Sequence, residues 1–156
     1  PAAVAITESW NGTSWTEVAD LNTARRLIRG FGTTTAALAF GGHPPFKNET
    51  EIWNGSGWTE VNNLNTARYG AYGCGTATAA LIAGGYVGPS TLQSIAESWN
   101  GTSWTEGPDL ATARGRLSMA GTTTAAVASS GKTPSITTAT EEFTLPAPTT
   151  VSFTVS

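Results

Sequence analysis

Hydrophobic and polar positions along this chain change over in short runs, and nowhere do they recur with the period of a helix. Residues 24–61 read as four strands. Residues 24–33 end in a Gly-Thr turn, and residues 35–40 end at Gly41-Gly42. A variable loop follows, then a short run over residues 50–53. Asn54-Gly55 predicts a hairpin, because both central residues of a type I′ turn need positive φ. Residues 57–61 close the unit. Near the end of the chain, Val151, Phe153 and Val155 alternate with Thr and Ser. That alternation predicts a closing or exchanged strand over residues 146–156.

The same order of runs returns along the chain. S-W-N-G-T-S-W-T-E at residues 9–17 recurs as I-W-N-G-S-G-W-T-E at 52–60, and unchanged at 98–106. The spacing is 43 residues from Trp10 to Trp53 and 46 from Trp53 to Trp99. L-N-T-A-R at 21–25 recurs at 64–68, and as L-A-T-A-R at 110–114. The stretch G-T-T-T-A-A-L-A-F-G-G at 32–42 recurs at 75–85, and in degraded form at 121–131. Units of four short strands at this period predict an all-β propeller. The repeats lie near residues 1–43, 44–89 and 90–134, with a partial copy over 135–145.

In such a fold the blades taper towards the axis, so inner strands need small side chains. Thr34, Thr35, Ala36 and Ala37 meet that need, as do residues 77–80 and 123–126. Three tryptophan pairs flank the Asn-Gly turns: Trp10 with Trp15, Trp53 with Trp58, and Trp99 with Trp104. Packed between neighbours, each ring is expected to bury ~150–250 Å²; the alternative is a stacking platform for sugars. Arg25, Arg68 and Arg114 recur in step with Glu17, Glu60 and Glu106, and with Glu8, Glu51 and Glu97. That pattern predicts an ion pair or stacking contact in each unit, or, on a sharper reading, an anion-binding ring of arginines.

The order Trp58, Leu64, Arg68, Gly84-Gly85, Trp99, Trp104 resembles the Kelch motif: a double glycine, an aromatic, a tryptophan soon after, then a hydrophobic residue and an arginine. Here Trp53 or Trp99 stands where Kelch units have tyrosine. The resemblance extends to about Phe143 and implies a Kelch-like β-propeller with about three four-stranded blades per chain. The near-identity of successive units is also similar to repeat proteins encoded by bacteriophages, aquatic ones especially, which implies a virion or extracellular setting. Kelch propellers close with about six or seven blades. The resemblance therefore implies that the missing blades come from upstream sequence or from a second copy. The expected partners are a homo-oligomer or other particle subunits. The chain opens at Pro1, in the same loop position as Pro44 and Pro134, so its N-terminus reads as processed or as part of a longer polypeptide.

Composition narrows the function. Charged residues are 12% of the chain and net charge is −3, against roughly 25% charged residues in ordinary soluble domains. With no basic patch, no nucleic-acid partner is expected. The longest apolar runs are far short of the ~20 residues of a membrane span, so no membrane insertion is expected. Cys74 is the only cysteine; it rules out a disulfide within the chain and reads as a small buried side chain. Asn11, Asn48, Asn54 and Asn100 match the glycosylation acceptor pattern, though turn chemistry accounts for all but Asn48.

His43 is the only histidine, so catalytic triads and metal clusters have little material, and no cofactor is expected. Copper oxidases among Kelch-like propellers use several histidines together with tyrosines, and this chain has a single histidine. Glu141-Glu142 reads as a solvated strand edge. The units differ most after the double glycine, and a constant scaffold with variable loops is the pattern of a recognition surface. Candidate binding residues there are His43, Phe46, Lys47, Tyr86, Gln93 and Lys132. The innermost strand also varies, at Arg26, Arg29, Tyr69, Tyr72, Arg116 and Ser118. The chain thus reads as a non-enzymatic structural or recognition module contacting a host-surface glycan or protein. The alternatives are a pure assembly or cement protein, and a propeller domain of a larger enzyme.

Overall fold

The computed structural model describes residues 2–144, and the strand expected over 146–156 lies outside them. The described residues are all-β, and no helix among them is long and apolar enough to cross a membrane. Strands β1 (Thr7–Trp10) and β2 (Trp15–Val18) form a hairpin. Strands β3 (Arg29–Gly32), β4 (Ala37–Gly42), β5 (Lys47–Trp53) and β6 (Trp58–Val61) follow as one antiparallel sheet in chain order. The next sheet starts with β7 (Tyr72–Gly75) and β8 (Ala80–Ala83). After a small hairpin of β9 (Tyr86–Val87) and β10 (Thr91–Leu92), it ends with β11 (Ala96–Trp99) and β12 (Trp104–Glu106). Strands β13 (Ser118–Gly121), β14 (Ala125–Ser129) and β15 (Thr140–Thr144) make a three-stranded sheet. The first strands of successive sheets, β3, β7 and β13, touch in that order.

The turns correct two expectations. Thr34, Thr35 and Ala36 lie in the turn between β3 and β4 and not in an inner strand. Thr33 Oγ accepts the Ala36 amide at 3.2 Å, and Thr76 and Thr122 repeat the bond with Ala79 and Ala125. A hydroxyl that bonds its own backbone favours a turn over a ladder. At the outer hairpin only the glycine has positive φ, as at Gly12 (98°), so the turn is not type I′. The Asn11 side chain instead accepts the amides of Thr13 and Ser14, both at 2.9 Å. Asn54 and Asn100 do the same.

The β7–β12 sheet is packed on both faces. Leu38 and Phe40 of β4 meet Ala80, Ile82, Trp99 and Trp104 of the next sheet. On that sheet's other face, Cys74 and Leu81 meet Ala126, Met119 and Phe143. Period-2 alternation along β8 sends Ile82 one way and Leu81 the other. Cys74 is a buried free thiol, and burial pushes its pKa up.

The tryptophan pairs face each other across their hairpins at 5.3–5.5 Å, but their burial differs. Trp53, Trp99 and Trp104 are buried and Trp58 is half-buried. Trp10 is 43% exposed and Trp15 63%. The expected burial of all three pairs therefore fails at the first, because no described sheet lies beyond β1–β2. The inner rings bond in repeat: Trp53 donates to the Thr34 carbonyl at 2.9 Å and Trp99 to that of Ala77 at 3.1 Å.

The L-N-T-A-R segments clamp successive units. Leu21 and Leu64 are buried. Arg25 pairs with Glu51 at 2.9 Å, Arg68 with Glu97 at 2.9 Å, and Arg114 with Glu141 at 2.7 Å. The other carboxylate oxygen accepts both the backbone and side-chain N–H of Asn22 on Glu51, and of Asn65 on Glu97, all at 2.8 Å. Burial pulls the Arg25 and Arg68 guanidinium pKa values below their ordinary value, and the facing glutamates oppose it. With all three arginines buried, the ion-pair reading holds and no ring of arginines faces an outside anion. The glutamates are those of the third strand, not Glu17, Glu60 and Glu106. Of the Glu141-Glu142 pair, Glu142 is exposed on the last described strand of its sheet, but Glu141 holds Arg114.

The double glycine has a steric cause. Gly41 (φ 64°) and Gly84 (φ 67°) are left-handed, and the clamp arginine of the next unit crosses over each. A Cβ at Gly41 would lie 2.6 Å from the Arg68 carbonyl oxygen, and one at Gly84 would run into that of Arg114. Ser130, in the same place of the third copy, keeps the conformation (φ 56°), and no described clamp crosses it. We therefore expect Gly84→Ala to destabilise by about 2–5 kcal/mol, from backbone strain plus overpacking. Ser130→Gly should stabilise by up to about 1–2 kcal/mol. Urea denaturation midpoints check both signs.

Candidate functional site

Three loops leave the scaffold at matching places. Just before each inner strand stands a left-handed residue: Leu27 (φ 57°), Gly70 (φ 60°) and Arg116 (φ 56°). The residue before it forms a backbone bridge to the residue after the double glycine. Arg26 and His43 exchange bonds of 2.9 and 3.0 Å, Tyr69 and Tyr86 of 3.1 and 2.9 Å, and Gly115 and Lys132 of 3.0 and 2.7 Å. The backbone is the same three times, while the six side chains are nearly all different.

The side chains at the first two exits meet. Phe46 stacks on Tyr69 at 5.8 Å and 19°, and Tyr69 stacks on Tyr86 at 5.1 Å and 15°. His43 sets its edge against Phe46 at 5.2 Å and against Tyr69 at 5.8 Å. Tyr86 is buried, whereas His43, Phe46 and Tyr69 are half-buried. The Tyr69 hydroxyl donates to the Pro89 carbonyl at 3.2 Å, tying the ladder to the second loop. At the third exit a side chain has no room: a Cβ on Gly115 would run into the Tyr86 ring. The glycine that breaks the series is thus the floor under the last rung. On the neighbouring inner strands, the Arg29 guanidinium lies 4.0 Å from the centroid of Tyr72, a cation–π contact between β3 and β7.

Of the residues expected to bind, His43, Phe46 and Tyr86 come together, with Tyr69 as the rung between them. Lys132 is exposed on the third loop. Lys47 and Gln93 stand beside the clamp, their carbonyls accepting the amides of Arg68 and Arg114 at 3.0 Å. The Lys47 ammonium pairs with Glu49 at 2.8 Å. Asn22 and Asn65 lay in a motif whose recurrence was plain, but their bridging role was not anticipated. Their signal is the third copy, where Ala111 replaces the asparagine and Glu141 accepts only a backbone amide there.

A second surface lies at the N-terminal hairpin. Val4 and Ile6 join Trp10 and Trp15 among the exposed apolar side chains. In the next two sheets the strand matching β1 is paired on both edges; among the described residues β1 is paired only with β2. Glu8 opposes Glu17 in that hairpin and is exposed, with no arginine paired to it among the described residues. In comparisons with known proteins, no family model and no curated protein matches this chain.

Proposed function

We propose that this chain is a segment of a Kelch-like β-propeller that acts as a non-enzymatic recognition module on a virion or cell exterior. Its ligand is a surface glycan or protein, met by the face that carries His43, Phe46 and Tyr69. The propeller reading is supported by the up-and-down sheets packed face to face and by first strands that touch in series. The recognition reading rests on one observation: identical backbone bridges deliver unlike side chains to one face. Half-buried aromatic clusters are the usual anchors of a binding surface.

Glycan-array and host-cell binding by the protein and its Phe46→Ala, Tyr69→Ala variant test it. Binding is expected with the parent chain, and a drop of about thirtyfold with the variant, since aromatic anchors contribute ~2 kcal/mol or more. Binding that survives the double change, or no binding to any surface, would refute it.

The second reading is assembly, and the β1–β2 face, uncovered among the described residues, favours it. An unpaired strand edge beside exposed indoles is a template for another chain. On that reading the face is covered by another repeat unit in a homo-oligomer or particle. Light scattering distinguishes the two, because a monodisperse monomer speaks against assembly.

A further inference from the structure

The basic residues of this chain stand in two places. Arg25, Arg68, Arg114 and Lys47 sit against glutamates. Arg26, Arg29, Arg116 and Lys132 stand at the loop exits or on the inner strands they lead into. Residues 26–31, 43–46, 69–74, 86–94, 115–120 and 132–139 carry those four of the eight basic residues and none of the eleven acidic ones. A chain of net charge −3 thus gathers positive charge where its aromatic ladder lies.

The third exit is the cationic end of that ladder. Gly115 lies against the Tyr86 ring. Lys132 is bridged to Gly115 by two backbone bonds, and Arg116 follows Gly115 directly. Both cations are exposed, and neither makes an ion pair among the described residues. Arg116 is also strained. Its φ of 56° is left-handed, where the second copy has Gly70 at 60°. A side chain in that conformation destabilises relative to glycine, and no ion pair of Arg116 offsets it. Leu27 shares the strain at the first exit, with φ 57°. Strain kept in this way points to a task for the side chain.

We propose that Arg116 and Lys132 hold the anionic group of an acidic glycan, a saccharide bearing carboxylate or sulfate, whose sugar rings run along the ladder. This rests on the recognition reading and names its ligand class. Tyr69 is stacked between Phe46 and Tyr86, so it offers its edge. Aromatic edges carry positive potential, which suits the hydroxyl and carboxylate oxygens of a sugar. Guanidinium and ammonium groups form the stronger, charge-assisted hydrogen bonds with such anions. Tyr86 is one rung, 5.1 Å, from Tyr69, so a short oligosaccharide spans the rings and the cations. The backbone of each exit is spent on its own bridge, which favours a ligand met by side chains over an added peptide strand.

Calorimetric titration of the whole chain tests this with lactose, its sialylated and sulfated forms, tetragalacturonate, the methyl ester of tetragalacturonate, and hexaglutamate. At least one acidic glycan is expected to bind about tenfold or more tightly than its neutral counterpart, with the gap narrowing at high salt. Tenfold is about 1.4 kcal/mol, within the reach of one charged hydrogen bond. Arg116→Gly should lower that affinity about tenfold and yet raise the urea midpoint, a pair of effects that a structural arginine would not give. Lys132→Gln should lower it about threefold. Acidic and neutral forms bound alike would overturn the assignment and leave the recognition reading standing. So would acidic binding unmoved by the two changes together, or hexaglutamate bound more tightly than every glycan. Binding of none of the probes would also overturn it, and the recognition reading would then rest on host-cell binding alone.

Discussion

Replacing Arg68 by alanine is expected to destabilise the protein by about 3–5 kcal/mol, the range for breaking a buried ion pair from one side. Both side chains of the Arg68–Glu97 pair are at 0% exposure. The substitution leaves the Glu97 carboxylate buried, with Asn65 as its remaining partner. The loss should appear as a lower urea midpoint with an unchanged slope. Arg68→Met combined with Glu97→Leu should recover much of it, because apolar residues of similar volume often replace a buried pair at little cost. Glu8→Gln is the control: the carboxylate is exposed, and the change should stay within about 0.5 kcal/mol. Equal losses at Arg68 and Glu8 would mean that the clamp is not what joins the units.

Trp104→Ala and Trp15→Ala change the same residue of the same nonapeptide and should differ widely. Trp104 is 6% exposed, packs on Phe40 and bonds Thr50, so its loss should cost about 3–5 kcal/mol. Trp15 is 63% exposed, and its loss should change the stability of the isolated chain by less than about 1 kcal/mol. If the open hairpin face is an assembly surface, Trp15→Ala instead lowers the association constant and leaves the urea midpoint of the monomer alone. Calorimetric melting and light scattering on the same samples separate the two effects.

The strands and their order were legible because alternation and the asparagine turns are local signals repeated three times, and the double glycine occurs twice. The arginine–glutamate pairing was legible as co-recurrence, but sequence alone left two glutamate sets open. Only the fold shows that the third-strand set faces the clamp. The turn at residues 33–36 was misread because Thr and Ala suit a tapering strand as well as a hydroxyl-capped turn, and composition does not separate them. Burial was the least legible property. Trp10 and Trp53 have nearly the same neighbours in sequence, and they differ in what stands beside them in space. The aromatic ladder was visible only as variable positions, because stacking across loops depends on the bridges that align them.

The proposal that the sheets follow one another round a common axis, with β3, β7 and β13 innermost, is the ground on which the rest stands. A crystal structure of the protein measures this directly. It should show Trp99 and Trp104 enclosed between neighbouring sheets and Arg68 on Glu97, with the outer hairpins at the periphery. A two-layer sandwich, with those indoles turned to solvent and the clamp arginines on the surface, would contradict it.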